Sequence, residues 1–298
     1  MGGAVNALGV DVGQSGVKLA CRMNKGIVQR KYLPREAASV DWADDTIVVE
    51  RIRKWIETAG LELGERVDVV IGATGAVAFE RSVSIQNLHI RLYGDVTIAA
   101  RACGIQRDAL LLMCGTGGAL INLSDEDYIP LFTYGPVVGD RWGGLALGRL
   151  ACRYLLDQWI DERDTGEFAT ALAELLRISD RREFLQWQRS AEQPYAELGK
   201  LGHVTLSFAE RNHTEAIALV HAMLDEMSEA IQWTIAKSAL KSPVPVGMQG
   251  RMVEDSFWLR HELTKRLKDR NVGIEVSTPS EPLDVVALQE AEQVGSET

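Results

Sequence analysis

The sequence has few of the residues that form cross-links or bind transition metals. Among its 298 residues are four cysteines and five histidines. The cysteines are far apart, with no Cys-x-x-Cys pair, so we expect buried thiols in a reducing cytoplasm and not a disulfide framework. The histidines show no ligand spacing, so we expect no zinc site. The cysteines are Cys21, Cys103, Cys114 and Cys152.

Long apolar runs and an excess of basic residues are also missing. No run approaches the roughly 20 apolar residues of a membrane-spanning helix, and Met1–Val10 lacks the basic and apolar regions of a signal peptide. Asp and Glu number 42 against 32 Lys and Arg, for a net charge of -10. Proteins that bind nucleic acids need clustered Lys and Arg. We therefore expect no nucleic-acid partner and no membrane anchor.

Several common nucleotide and hydrolase motifs are absent from the sequence. It has no Gly-x-x-x-x-Gly-Lys-[Ser/Thr] and no Gly-x-Gly-x-x-Gly after a first strand, which excludes a Walker loop and a Rossmann fingerprint. It also has no Gly-x-Ser-x-Gly and no His-Glu-x-x-His. With 46% hydrophobic and 25% charged residues, the composition is that of a globular protein, and the length suits two domains.

Short β-prone runs alternate with amphipathic helices in two successive units. This pattern predicts an α/β fold with two similar lobes and a cleft between them. We place the lobes at 1–107 and 108–298, the second enlarged by helices, and expect the final helix, about 283–293, to pack back on the first lobe. The predicted strands are Ala7–Val12, Val17–Met23, Ile27–Leu33, Val67–Ile71, His89–Leu92, Ala109–Cys114, Ala119–Leu123, Tyr128–Thr133, Val244–Gly247 and Gly273–Val276. The predicted helices are Thr46–Thr58, Val96–Cys103, a helical region from Gly143 to Leu240, Asp255–Lys268 and Leu283–Gln293.

A glycine-containing segment, Asp11–Lys18, joins the first two predicted strands. Its glycines permit a tight turn and leave backbone N–H groups accessible to an anion. Asp11 is a candidate magnesium ligand, acting through water. A plain hairpin turn with a capping aspartate explains the segment equally well.

Two more glycine-containing segments follow in the second unit. Cys114–Gly118 joins two predicted strands, and Gly135–Gly144 runs into a helix. Amides in a tight turn and at a helix N-terminus attract anions. Asp140 is a candidate N-cap or metal-side carboxylate. An ordinary turn and an ordinary cap are the alternatives.

Together the three segments favour phosphoryl transfer, which depends on positioning and on neutralisation of charge. The reaction also needs a base near the acceptor hydroxyl. Asp95 follows a predicted strand and opens a helix of small residues, so its carboxylate is a candidate general base. A role as helix N-cap is the alternative.

These segments resemble the motifs of the actin, heat-shock protein and sugar kinase superfamily. Asp11–Lys18 is similar to its first phosphate motif, Gly115–Gly118 to its second, and Val246–Gly250 lies where its adenosine motif falls. The resemblance is closest to the BadF/BadG/BcrA/BcrD ATPase group, which includes N-acetylglucosamine and glucosamine kinases. Tyr134–Gly148 and Leu198–Ala218 are also similar to segments of that group.

The resemblance implies two actin-like (RNase H-like) lobes, ATP and Mg²⁺ as cofactors, and transfer of phosphate to a small sugar, most of all an amino sugar. It further implies a cytoplasmic homodimer. By position, Asp95 corresponds to the catalytic base and Asp11 to the metal-side carboxylate. The resemblance assigns nucleotide and phosphate binding to Gly13, Gln14, Ser15, Lys18, Gly115, Thr116, Gly117, Gly247 and Gly250. It assigns the sugar side to Asp41, Gly75, Thr116, Gly139 and Asp140, and a second metal contact to Asp140.

The sequence departs from the family pattern near the expected acceptor. Gly94 replaces the Asn before the base, and Arg141 replaces the Glu after Asp140. Trp142 replaces a Gly, and Gly118 replaces a Ser. These changes leave phosphate handling intact and affect the acceptor.

The loop Ala38–Trp42 also lacks the Ser/Thr-Asn pair of acetamido-sugar kinases and has Val40 and Asp41 instead. Two alternatives therefore stay open. One is an ATPase coupled to a partner protein, as in the dehydratase activators of the same group. The other is a catalytically silent sugar or nucleotide sensor.

Overall fold

A computed structural model describes residues 4–13, 16–22, 28–34, 41–74, 80–123, 130–161, 166–191 and 194–296. The chain divides into two compact units. The first consists of Met1–Gln106, Glu126–Tyr128 and Thr278–Thr298, and the second of Arg107–Asp125 and Ile129–Ser277.

The strands of the described residues are β1 Val5–Val12, β2 Gly16–Arg22, β3 Val28–Pro34, β4 Leu63–Ala73, β5 Arg81–Ile85, β6 Leu88–Gly94, β7 Leu110–Cys114, β8 Gly118–Asn122, β9 Pro130–Leu131, β10 Val244–Gln249 and β11 Ile274–Ser277. The helices are α1 Asp45–Thr58, α2 Asp95–Ala102, α3 Gly135–Val138, α4 Gly144–Ile160, α5 Glu167–Leu176, α6 Arg181–Ser190, α7 Pro194–Glu210, α8 Thr214–Ser238, α9 Arg251–Asp255, α10 Phe257–Asp269 and α11 Leu283–Ser296.

The described part of the first unit contains a six-stranded sheet in the order β3-β2-β1-β4-β6-β5. β1, β2 and β3 pair antiparallel, whereas β4 runs parallel to both β1 and β6. Val12, Ala73 and Gly94 are register partners at the ends of three neighbouring parallel strands. Residues that follow these ends therefore lie at one edge of the sheet.

Helix α1 shows how local sequence defines an element of this unit. The Asp44 carboxylate caps the helix by accepting the N–H groups of Thr46 at 2.8 Å and Ile47 at 3.1 Å, which satisfies two otherwise unpaired amides. Ile52 and Ile56, four residues apart, are buried against the sheet. The cap and the apolar face together account for the helix.

The C-terminal helix α11 packs on the sheet of the first unit at Gly9 of β1. A Cβ atom at position 9 would overlap the main chain of Asp284 and Leu288. Arg30 of β3 donates two hydrogen bonds of 2.7 Å to the fully buried Asp284 carboxylate. On β2, Arg22 pairs with Glu292. Both main-chain contact and ion pairs therefore hold α11.

The described part of the second unit contains a five-stranded sheet in the order β11-β10-β7-β8-β9. β7 and β8 form an antiparallel hairpin, and β10 runs parallel to β7 and β11. Helices α4 to α10 supply most of this unit's apolar core, which includes the fully buried Phe168, Leu224 and Leu263. Among the described helices, none is long and apolar enough to cross a membrane.

The structure confirms the predicted α/β class, and α1, α2, α4, α11 and most strands lie close to their predicted positions. β5 was not predicted, because Arg81–Ile85 is short and half polar. Of the strand predicted over Tyr128–Thr133, residues 128 and 129 lie outside the described residues, and Pro130–Leu131 form β9. The helix predicted over Asp255–Lys268 is interrupted at Ser256, whose hydroxyl accepts the Leu259 N–H at 3.1 Å and so caps α10. The predicted buried thiols are confirmed, since all four cysteines are buried and none forms a disulfide.

We predict that Gly9→Ala lowers the free energy of unfolding by about 3 kcal/mol, because the added methyl group overlaps helix backbone that cannot move independently. Gly60→Ala is the matched control. Position 60 has a φ of +66° but open space around its Cβ. Alanine there should lower the free energy of unfolding only by the cost of a left-handed backbone, about 1 kcal/mol. Urea unfolding of both variants checks this, and equal losses would contradict the contact at Gly9.

Candidate functional site

In the first unit, the β1–β2 hairpin brings together two of the predicted site residues. Asp11 and Lys18 are direct cross-strand partners, and the Lys18 Nζ donates to Asp11 Oδ2 at 2.7 Å. The Asp11 side chain is 7% exposed. Gly13 closes the turn by donating its N–H to the Gly16 carbonyl at 3.0 Å. Gln14 and Ser15 lie outside the described residues.

Asp95 lies at the same edge of the sheet as Asp11, at the start of α2. Thr74 Oγ1 donates to Asp95 Oδ2 at 2.9 Å, and the Val96 N–H donates to Oδ1 at 3.0 Å. The N-cap residue of α2 is Gly94, which has no side chain to cap the helix. Asp95 is therefore the first residue of the helix and not its N-cap, and its carboxylate accepts one amide of the first turn.

Burial raises the pKa of the Asp95 carboxyl above its ordinary value, and the negative charge of Asp11 raises it further. The hydrogen bonds from Thr74 and from the Val96 N–H act in the opposite direction, because they stabilise the ionised form. A carboxylate with a raised pKa is a stronger base than an exposed one. Such perturbation is common among catalytic acids and bases.

Thr74 is the residue of this edge that sequence reasoning missed. It follows β4 directly, and its N–H donates to the Val12 carbonyl at 3.0 Å, which places its hydroxyl beside Asp95. The only signal in the sequence was a hydroxyl residue after a buried strand, within Gly72–Gly75. Gly75 itself lies outside the described residues.

Asp41 lies in an exposed turn of the first unit. Its Oδ1 accepts the Ala43 N–H at 2.9 Å. The turn is held to β5 by Arg81, which donates to the carbonyls of Trp42 and Ala43 and pairs with Asp45 at 2.8 Å. The other carboxylate oxygen of Asp41, Oδ2, accepts no hydrogen bond from the described residues. The predicted role of Asp41 on the sugar side stays a prediction.

In the second unit, the turn between β7 and β8 has its carbonyl groups occupied. Gly115 O accepts the Gly144 N–H at 2.8 Å, and Thr116 O accepts the Leu145 N–H at 2.9 Å. The first amides of α4 are thus used by the turn and not available to an anion. Within the described residues, the N–H groups of Thr116 and Gly117 have no acceptor. These two amides are the donors that the turn can offer to a phosphate.

The Asp140 carboxylate holds this turn in place. The side chain is buried, and its Oδ2 accepts the Gly118 N–H at 3.1 Å. Its Oδ1 accepts the N–H groups of Tyr134 at 2.9 Å and Gly135 at 2.7 Å. Asp140 is not the N-cap of α4, which is Gly143. The carboxylate thus has a structural role, and contact with metal or sugar by Asp140 or by Gly139 stays a prediction.

Two departures from the family pattern, Gly118 and Trp142, form one contact. Trp142 is fully buried and donates its indole N–H to the Met113 carbonyl at 3.0 Å. A Cβ at position 118 would lie 2.5 Å from Trp142 Nε1 and 2.6 Å from its carbonyl oxygen. The indole ring therefore occupies the space that a serine at 118 would need.

Arg141 is directed toward α8. Its guanidinium pairs with Glu226, lies 4.0 Å from Glu229, and stacks 5.4 Å from the centre of the Phe132 ring. The reversed charge at this position is therefore compensated within the second unit.

The predicted adenosine motif lies against the same turn. Gly247 is in β10, which lies between β11 and β7, and its register partners are Ser277 and Leu111. Gly250 has a φ of +109°, and a Cβ there would lie 2.5 to 2.7 Å from main-chain atoms of Cys114 and Gly115. Only glycine can be accommodated at this position. The segments predicted as the second phosphate motif and the adenosine motif are thus adjacent within one unit.

Comparison with solved structures identifies proteins of the same fold. One, from Chromobacterium violaceum and named as a candidate N-acetylglucosamine kinase, matches with a TM-score of 0.65 at 20% identity, over 97% of this chain and 99% of its own. A second candidate N-acetylglucosamine kinase, from Porphyromonas gingivalis, matches with a TM-score of 0.64 at 14% identity over the same shares.

A third neighbour is a ROK-family transcriptional regulator, named as a homologue of Escherichia coli MLC. It matches with a TM-score of 0.56 at 11% identity, over 96% of this chain and 77% of its own. No family model matches the sequence, and no curated protein is similar to it. The chain therefore has the actin-like α/β fold of these proteins.

We predict that Thr74→Val raises the pKa of Asp95 further, because the ionised carboxylate loses a hydrogen bond, whereas Thr74→Ser leaves the pKa near that of the wild type. Since folding already raises this pKa, the stability due to Asp95 is complete below the unfolded value of about 3.9 and is lost as pH rises through the folded value. Carbon NMR of the Asp95 carboxyl measures the pKa in all three proteins. A lower or equal value in Thr74→Val would contradict the assignment.

We further predict that Asp140→Asn lowers the free energy of unfolding of the protein by about 2 kcal/mol or more without nucleotide and with EDTA present. An amide side chain has one acceptor oxygen and presents its NH₂ group to at least one backbone donor. Asp225→Asn is the control in the same unit, because the side chain of Asp225 is 56% exposed and its ion pair contributes less than about 1 kcal/mol. Equal stability of both variants in urea would refute the structural role of Asp140.

Proposed function

We propose that the protein is an ATP-dependent sugar kinase, which transfers the γ-phosphate of ATP to a hydroxyl group of a small sugar. The observation that carries the proposal is the pair Asp11 and Asp95 at one edge of the first sheet. One carboxylate is paired with a lysine, and the other is held by Thr74 with a raised pKa. We include in the proposal the relation to the BadF/BadG/BcrA/BcrD group, the cytoplasmic location and the homodimer.

Asp95 is the general base of this proposal. Its two oxygens each accept one hydrogen bond, and a carboxylate has about four lone-pair sites, so it can still accept a proton. The raised pKa means that the proton of the sugar hydroxyl moves to a better base than an exposed aspartate. Thr74 and the Val96 N–H orient the carboxylate while it does so.

The residues present fit ATP and Mg²⁺. The amides of Thr116 and Gly117, which have no acceptor among the described residues, are suitable donors to phosphate oxygens. Gly13 and Lys18 are the proposed phosphate-binding residues of the first phosphate motif. Mg²⁺ is usually held by one or two carboxylates together with phosphates and water, and the described residues contain no cluster of three acidic or thiol or imidazole ligands. Asp11 would hold the ion on the protein side, with Asp140 as the second candidate. Bound Mg²⁺ would neutralise charge on the β- and γ-phosphates.

We propose an amino sugar, N-acetylglucosamine or glucosamine, as the acceptor. Two neighbours of the same fold are named as candidate N-acetylglucosamine kinases. Asp41, Gly75, Thr116, Gly139 and Asp140 are the residues proposed on the sugar side. The alternative of a partner-coupled ATPase with an iron–sulfur cluster needs thiolates at a subunit surface, whereas all four cysteines are buried.

The experiment that tests the proposal measures ADP release with Mg-ATP across amino sugars, plain hexoses, sugar acids and a sample without acceptor. Strong stimulation by one sugar is the expected result. Turnover that does not depend on any sugar would favour a partner-coupled ATPase. Sugar binding in calorimetry without ATP consumption would favour a sensor.

We predict that Asp95→Asn lowers kcat by about 10²- to 10⁴-fold, the usual contribution of a positioned base. The Kd of Mg-ATP should stay within about twofold of the wild type, because Asp95 acts on the acceptor. In the wild type, kcat/KM should rise with pH through the raised pKa of Asp95. Glu57→Gln, an exposed change on α1, is the control that leaves both constants unchanged. Retained turnover in Asp95→Asn would remove Asp95 from the role of base.

A further inference from the structure

Helices α4 and α7 approach each other at glycine residues, and at two of these, Gly148 and Gly202, a steric clash excludes any larger residue. A Cβ at Gly202 would overlap the main chain of Gly144, and a Cβ at Gly148 of α4 would overlap the main chain of Leu198. Main chain lies against main chain at both positions, so a larger residue cannot be accommodated. These glycines allow α4 and α7 to pack closely.

At Gly199, no steric clash requires glycine. It lies in the interior of α7, where glycine is less favourable than alanine. The position is buried, yet a Cβ there would have Thr116 Cγ2, at 3.9 Å, as its nearest neighbour. That is ordinary van der Waals distance, so the helix could carry alanine at lower cost. The missing side chain thus leaves a space that no part of the described chain fills.

The space at Gly199 adjoins the turn that presents unpaired amides. Thr116, which faces it, and Gly117 have the two N–H groups for which the described part of the chain supplies no acceptor. The Cβ position of Gly115, in the same turn, lies 3.9 Å from Gly250 Cα. Gly199 and Gly250 therefore both lie beside this turn without a side chain.

We propose that Gly199 is a binding residue for the phosphate chain of the nucleotide. The absence of a side chain at position 199 leaves room for phosphate oxygens at the amides of Thr116 and Gly117. This inference rests on the proposed function, and it adds a wall of the phosphate site that none of the three glycine motifs contains. A methyl group at 199 would contact the Thr116 side chain and reduce the space for phosphate.

The test measures the affinity of Gly199→Ala and Gly199→Val for two probes, Mg-ATP and Mg-tripolyphosphate, by calorimetry. We expect the Kd of both probes to rise about tenfold with alanine and more with valine, as added methyl groups fill the space. The Tm of Gly199→Ala should equal or exceed that of the wild type, since alanine is the better helix former. Lower affinity together with unchanged or higher Tm separates lost binding from lost folding.

Two controls on the same helix complete the design. Gly202→Ala should lower the Tm, because its methyl group meets the main chain of Gly144. Ser207→Ala, at an exposed position, should change neither Tm nor Kd.

The outcomes distinguish this inference from the function on which it rests. Wild-type affinity in Gly199→Ala and Gly199→Val would overturn the inference alone. Loss of ATP binding with tripolyphosphate binding retained would also overturn it, because Gly199 would then border the nucleoside. A wild-type protein that bound neither probe would refute the proposed function and the inference with it.

Discussion

Close approach of main chain to main chain, possible only at glycine, determines where the candidate residues of each unit lie. At Gly9, helix α11 rests on β1, which ends in Asp11 and Val12. At Gly143, whose φ is +97°, a Cβ would lie 2.5 Å from the Gly117 carbonyl oxygen. Gly250 meets the other side of the same turn. Polar side chains are positioned on a backbone arrangement that packing has already defined.

The candidate carboxylates of the two units, Asp11 and Asp95 in the first and Asp140 in the second, differ in how far neighbouring groups satisfy them. Asp140 accepts three backbone N–H groups, and these hydrogen bonds hold one turn and one loop together. Asp11 forms an ion pair with the half-exposed Lys18. Asp95 accepts hydrogen bonds from only one hydroxyl and one amide, and burial, together with the charge of Asp11, raises its pKa. The satisfied group maintains structure, and the less satisfied ones remain available for chemistry.

Local sequence predicts the parts of this fold that depend on neighbouring residues. Strand runs, glycine turns and the position of Asp95 at a strand end are of this kind. The hydrogen bond from Thr74, the pair of Arg30 with Asp284, and the three amides on Asp140 join residues 21, 254 and up to 22 positions apart. Such contacts depend on tertiary packing, which no periodicity in the sequence records. Gln14, Ser15 and Gly75 lie outside the described residues, and their roles stay predictions.

The contact between Gly118 and Trp142 also makes the two positions interdependent. A side chain at 118 would occupy the volume of the indole ring, so a serine there is compatible only with a smaller residue at 142. A smaller residue at 142 alone would in turn leave a void beside Gly118. The effects of substitutions at 118 and 142 on stability are therefore not additive.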